Sequence, residues 1–205
     1  MWNPVDTRFY AKKLPVAIAA IDDGSEANFI RTLLEQLNIV TLLHTIGTPN
    51  DFLQVIGQEE EAPPFLVISA HGDQGGLIFG EYIDEIDVSS LQNGVMYPST
   101  IAEAIRLPGT VVINTACSAG VKEAGVAFMK GEIQAYIAAD EDVTGETTAL
   151  FLMHFFHQLV NGRSVEEAWE HAAAYDEESR LYRLYLREGI YKVRDDGKKI
   201  RIEGE

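Results

Sequence analysis

The chain has 205 residues, 46% of them hydrophobic and 23% charged, with a formal net charge of −16 at pH 7. That length suits one domain with a sizeable core, and the hydrophobic share excludes a mainly disordered chain. The negative charge argues against nucleic acid and anionic membranes as partners, and a single cysteine excludes an internal disulfide and zinc sites built on paired cysteines.

In chain order, Met1-Trp2-Asn3-Pro4-Val5-Asp6 has no basic region leading into an apolar one, so no secretory leader is expected. A reducing, cytoplasmic setting fits the lone thiol. Val16 to Ile21 reads as the first strand, ended by Asp22-Asp23-Gly24, and Ser25 is placed to cap the helix that follows. That helix repeats Phe29, Ile30, Leu33, Leu34 and Leu37 at helical spacing. Ile39 to Ile46 is a second strand, and Thr48-Pro49-Asn50 opens a short helix. The third strand is the apolar run Phe65 to Ala70, which ends in His71-Gly72. Ser99 to Leu107 reads as a helix stopped by Pro108-Gly109, and Thr110 to Thr115 is a fourth strand, followed by Ala116-Cys117-Ser118-Ala119-Gly120. Val121 to Lys130 is a helix and Ile133 to Ala139 a fifth strand. Thr147 to Val160 is a helix whose centre, Ala149 to Phe156, is too short to span a bilayer and reads as buried. A long charged helix is expected from Val165 to about Glu188, then a β-hairpin, Ile190 to Val193 with Lys198 to Ile202, turned by Asp195-Asp196-Gly197. Such alternation predicts an open, mostly parallel sheet with helices on both faces.

Ligands and catalytic groups of such sheets sit at the carboxyl ends of the strands. The sequence puts an imidazole and the only thiol at matching ends of two strands, 46 positions apart. A lone cysteine ending a buried strand is more often a small core residue. The pairing with histidine, and the glycines beside both, favours a nucleophile and its base. The thiolate is the reactive species; a histidine takes the thiol proton and later protonates a leaving amine. Gly72 lets the backbone approach a substrate, and its N–H with that of Cys117 is a candidate oxyanion hole. The dipole of the following helix is expected to favour a thiolate.

These blocks resemble the caspase-fold (clan CD) cysteine peptidases, in which one strand ends in His-Gly and a later one in Ala-Cys. In animal caspases the histidine lies about 50 residues before the cysteine. Thr115-Ala116-Cys117-Ser118-Ala119-Gly120 departs from their Gln-Ala-Cys-[Arg/Gln/Gly]-Gly and is closer to the bacterial CHAT branch, related to separases. Tyr136-Ile137-Ala138-Ala139 and the two helices after it continue the resemblance, which covers about residues 15–174. It implies a caspase-like three-layer α/β sandwich over 1–188; the hairpin appendage of 189–205 lies outside the match and is open to a partner. It implies a cytoplasmic cysteine endopeptidase: Cys117 as nucleophile, His71 as base and then acid, Gly72 and Cys117 as oxyanion donors.

Peptidases of this fold read the residue before the cleaved bond in a pocket built partly after the fifth strand. Here that stretch is Asp140-Glu141-Asp142, so a peptide or protein substrate with lysine or arginine at that position is expected. The glycines after His71, Gly75-Gly76, suit the hinge of a small hairpin over the site, running to about Val95. Only Gly131-Glu132 separates the helix after the cysteine from the next strand, so the enzyme is expected to work uncut, under control of a regulatory partner. The chemistry needs no metal or organic cofactor. Asn114 and Asp73 both stand where one of them can orient His71, while His44, His154, His157 and His171 read as structural. Two alternatives stay open: a catalytically silent caspase-like module that binds a partner, and a cysteine hydrolase of small esters or amides. A tyrosine phosphatase is excluded by spacing, because the position six after the cysteine is Glu123.

Overall fold

The computed structural model describes residues 14–22, 24–73 and 76–202. The amino-terminal reading of residues 1–6, Asp23 and the hinge position Gly75 lie outside them. The strands are β1 (Pro15–Ile21), β2 (Val40–Ile46), β3 (Phe65–Ser69), β4 (His71–Asp73), β5 (Gly76–Ile78), β6 (Val95–Met96), β7 (Val111–Asn114), β8 (Ala135–Ala139), β9 (Tyr182–Leu186), β10 (Gly189–Val193) and β11 (Lys199–Ile202). The helices are α1 (Gly24–Gln36), α2 (Pro49–Ile56), α3 (Pro98–Ala104), α4 (Lys122–Met129), α5 (Gly145–Val160) and α6 (Val165–Ala173).

Eight strands form one sheet in the order β11-β10-β9-β8-β7-β3-β1-β2. The five from β8 to β2 are parallel, and β9, β10 and β11 add antiparallel strands at one edge. Parallel strands covered on both faces must be apolar throughout, which is why β1, β3, β7 and β8 read as unbroken hydrophobic runs. Alternation along β1 shows the two layers. Val16, Ile18 and Ala20 join the core under α1, α5 and α6. Ala17, Ala19 and Ile21 join the core under α2, α3 and α4. Phe151, Leu152, Phe155 and Phe156 of α5 are fully buried, each contributing about 1.5–3 kcal/mol of hydrophobic stabilisation.

Local signals explain the helix ends. Thr48 and Asp51 form a capping box at α2, and Ser164 with Glu167 forms another at α6. Helix α1 begins at Gly24, so Ser25 lies inside its first turn rather than capping it from outside. Helix α3 stops at Ala104, earlier than expected, because Ile105 turns extended (ψ 127°) and sends Ile105 and Leu107 into the core. Between β3 and α3 the chain makes a small three-stranded antiparallel arm, β4-β5-β6, where a hairpin was expected.

The long helix expected from Val165 to about Glu188 is not formed. Leu181, Leu184 and Tyr185 suit a helical face and an internal strand equally, and tertiary burial decides for the strand. Tyr182 and Leu184 point into one core and Tyr185 into the other. Tyr182 stacks on Phe151 with ring centroids 3.8 Å apart, and Trp169 Nε1–H donates to its carbonyl at 3.1 Å. The carboxy-terminal hairpin pairs Ile190 with Ile202 through Val193 with Lys199 and continues the main sheet through β9.

Candidate active site

Strand β1 leads into α1 on one face of the sheet, whereas the chain after β3 leads to α3 on the other. Neighbouring strands whose connections leave to opposite faces open a crevice at their carboxyl ends. A cleft of about 330 Å³ lies there, with Glu26, His71, Thr115, Cys117, Val143 and Gly145 on its walls. The two residues singled out in the sequence thus face one cleft.

Their backbones press together. A Cβ built on Gly72 lies 2.5 Å from the Cys117 carbonyl oxygen and 2.9 Å from the Ala116 Cβ, so only glycine fits where the His-Gly segment passes the Ala-Cys segment. Gly120 is as confined: a Cβ there lies 2.3 Å from the Ala138 carbonyl oxygen, and its N–H donates to the Ala139 carbonyl at 2.7 Å. Between them Ser118 adopts a left-handed conformation, φ +55°, which a non-glycine residue takes only when its surroundings compel it. Those surroundings are specific. Asn114 Oδ1 accepts from the Ala116 N–H at 3.0 Å, and its amide donates to the Tyr136 hydroxyl at 3.1 Å. The Tyr136 hydroxyl donates to the Ala119 carbonyl at 2.8 Å and the Tyr185 hydroxyl to the Gly120 carbonyl at 2.6 Å. Asn114 therefore shapes the loop that carries Cys117, and both its polar ends are committed there rather than to His71.

Asp140, Glu141 and Asp142 do stand beside this loop. The Ser118 N–H donates to the Glu141 carbonyl at 3.4 Å and its hydroxyl to Asp142 Oδ1 at 3.1 Å. Asp140 is paired with Arg183 at 2.6 Å. Burial nonetheless pushes the Asp140 carboxyl up from its ordinary range, against the opposing pull of Arg183.

Burial also pushes the Cys117 thiol up; a hydrogen bond from the Val143 backbone opposes this, and the Asp142 and Glu26 carboxylates reinforce it. These influences disfavour the thiolate that the helix dipole was expected to favour, because α4 begins only at Lys122 and the near charges are carboxylates. His71 is exposed at the cleft mouth. The other histidines lie elsewhere: His44 on β2, His154 edge-on to Tyr175 at 4.3 Å, His157 beside Asn161, and His171 in the last turn of α6. Among the described residues no group of three or more His, Cys, Asp or Glu side chains is placed to hold a metal ion.

Two features escaped the sequence reading. Glu26 at the start of α1 accepts from Ser69 Oγ at 2.5 Å and Thr115 Oγ1 at 3.0 Å, tying the ends of β3 and β7 together. It follows a strand end, the same positional signal that marked His71 and Cys117. Arg183 had no local signal, since it reaches Asp140 from β9.

Among the described residues no helix is long and apolar enough to cross a membrane. No family model matches the chain, and no curated protein does. Solved structures are similar. One is a secreted C11 cysteine protease from Bacteroides thetaiotaomicron in complex with an irreversible peptide inhibitor, with TM-score 0.51, 11% identity, and coverage of 85% of this chain and 66% of that one. Another is the complex of Porphyromonas gingivalis RgpB pro- and mature domains, with TM-score 0.50, 12% identity, and coverage of 80% and 44%. A third, the Arg-specific cysteine proteinase gingipain R, has TM-score 0.49, 12% identity, and coverage of 80% and 43%. The chain spans less than two thirds of each of these structures. At such identities the likeness is one of fold: this chain has the caspase-like α/β fold, a central, mostly parallel sheet with helices on both faces.

Proposed function

We propose that the chain is a cysteine endopeptidase with Cys117 as nucleophile and His71 as general base. The observation that carries this reading is the cleft that His71 and Cys117 share, beside the close approach of the Gly72 backbone to that of Cys117. Because the resting thiol is protonated, His71 removes its proton as Sγ attacks the scissile carbonyl, rather than holding a preformed ion pair. The N–H groups of Gly72 and Cys117 receive the developing oxyanion. His71 then protonates the leaving amine, and a thioester to Cys117 remains. Water, deprotonated by His71, hydrolyses it and regenerates the thiol.

The substrate class we propose is a peptide or protein with lysine or arginine before the cleaved bond, in keeping with the acidic surroundings of the cleft. The Ala-Cys-Ser block supports placement near the bacterial CHAT branch, and the lone cysteine supports a cytoplasmic location. Trapping tests the mechanism. A peptidyl chloromethyl ketone is expected to leave one adduct, mapped by mass spectrometry to Cys117, and none in His71→Ala within the same time. An adduct elsewhere, or an unreactive Cys117, contradicts the reading and favours a partner-binding module.

A further inference from the structure

The chain from 32 to 105 holds no lysine or arginine, while glutamate and aspartate recur along it. Strand β2, helices α2 and α3 and the β4-β5-β6 arm all come from that stretch, so they bring no cation of their own to the surface. Within it, residues 79–94 connect β5 to β6 without a helix or strand. An irregular connection of that length is uncommon in a packed domain unless it has a function. This one is built rather than slack. The Phe79 N–H donates to the Gly94 carbonyl at 2.8 Å, and a Cβ on Gly94 lies 2.9 Å from the Gly80 carbonyl oxygen, so the neck is closed. Both glycines there have positive φ, 78° and 77°. Further out, the Ile86 N–H donates to the Ile83 carbonyl at 3.0 Å and the Leu91 N–H to the Val88 carbonyl at 2.8 Å. Loops closed at the neck in this way frequently carry function.

The loop walls a groove of about 620 Å³, in which Ile78, Tyr82, Val88 and Leu91 meet Glu81. That volume lies within the range of ligand-binding clefts. Val88 is 41% exposed and Ile83 69%, which leaves apolar surface open to a partner. Glu81, Asp84, Glu85 and Asp87 are exposed around them. Burial, and then the nearby Asp22 and Asp51 carboxylates, push the Tyr82 hydroxyl above its ordinary range. Among the described residues none of these six acids forms an ion pair. An apolar floor under an unanswered acidic rim specifies its occupant. Phosphate-bearing lipid and nucleic acid are repelled, and so is a second copy with its own net charge of −16.

We propose that this groove docks a protein partner through a short basic segment. Its leucine-like side chains enter between Tyr82, Val88 and Leu91, and flanking lysines or arginines meet the acidic rim. The groove is separate from the Cys117 cleft, and docking there does not depend on the peptidase reading. Ile78 of the groove stands opposite His71 in the β4–β5 pair. The partner thus sits against the strands that carry the proposed base, and only this regulatory consequence rests on the peptidase reading.

Fluorescence anisotropy with a labelled peptide, fluorescein-Lys-Arg-Leu-Leu-Arg-Lys-amide, tests the groove on Cys117→Ala, so that no cleavage intervenes. The controls carry serine in place of both leucines, or the acidic sequence Glu-Asp-Leu-Leu-Asp-Glu. The leucine probe is expected to bind about tenfold or more tighter than the serine probe, as burial of two leucines requires, and the acidic probe not at all. Val88→Lys should weaken the leucine probe about tenfold and Glu81→Lys about threefold or more. Glu146→Lys, the same change of charge beside the Cys117 cleft, should leave it within about twofold. Equal binding of both basic probes, or a loss in Glu146→Lys as large as in Glu81→Lys, overturns the proposal. Hydrogen exchange needs no groove variant: the leucine probe is expected to slow exchange over 78–95 and not over 115–120. Protection at the cleft instead overturns it. So does a loop already protected in a self-associated chain without probe, which assigns the groove to a second copy. Docking by a parent chain that cuts no peptide keeps the groove and discards the peptidase reading. A parent chain that cuts peptides while no probe is bound keeps that reading and overturns the groove.

Discussion

A thiol that burial and two carboxylates hold protonated makes a definite statement about pH. Its folded pKa lies above the ordinary cysteine value of about 8.5, so little thiolate exists at neutral pH. Iodoacetamide should alkylate Cys117 slowly at pH 7, at a rate that climbs through an inflection above that of a free cysteine. Asp142→Asn should move the inflection down. An inflection near pH 7 in the free protein contradicts this and restores the preformed ion pair. Gly72 carries the second residue-level prediction. An added methyl meets the Cys117 carbonyl at 2.5 Å, and backbone cannot swing aside. Gly72→Ala should cost about 1–3 kcal/mol of stability by overpacking, seen as a lower melting temperature, and should slow catalysis. An unchanged melting temperature removes the close approach from the account. His71, Gly72 and Cys117 were legible because apolar runs mark strand ends. The contact of Glu26 with Thr115 spans 89 positions and joins residues whose pairing only the folded sheet creates.

At the scale of elements, the site depends on how β8 and β9 grip the loop after β7. Tyr136 and Tyr185 each donate a hydroxyl to a loop carbonyl, and burial holds both phenols neutral well above the ordinary tyrosine range. Tyr185→Phe leaves the Gly120 carbonyl without that donor, at a cost of about 1–3 kcal/mol. Thermal unfolding should show the loss, and Cys117 reactivity should change with it. A variant as stable and as reactive as the parent contradicts the grip. Gly125 of α4 belongs to the same design, since a Cβ there lies 2.2 Å from the Tyr185 ring. Sequence pattern revealed β1, β3, β7 and β8 because each is a separate apolar run, and β2, at the sheet's edge, as a more polar strand between α1 and α2. It mistook β9 for helix because Leu181, Leu184 and Tyr185 fit both periods, and only burial on two faces separates them.

Across the whole molecule, the connection from α4 to β8 bears on activation. It runs from Lys130 to Gln134, longer than the two residues expected but bonded throughout. The Gly131 N–H donates to the Phe128 carbonyl at 3.1 Å, the Leu107 N–H to the Gly131 carbonyl at 3.0 Å, and the Gln134 N–H to the Thr110 carbonyl at 2.8 Å. Proteolysis needs a segment that can leave the surface and extend, and this one cannot without opening the core. Active protein should therefore keep a single intact mass; activity confined to a two-fragment form contradicts this. Sheet order and the joining of the hairpin to β9 were not legible, because nothing local dictates which edge a strand joins.

The most direct measurement is hydrolysis of a fluorogenic peptide library varied at the residue before the cleaved bond, by the parent chain, Cys117→Ala and His71→Ala. The account predicts cleavage after lysine or arginine by the parent, and a loss of at least about 100-fold in both variants. Cleavage that survives loss of the thiol, or none at all from a chain whose Cys117 is reactive, would contradict it.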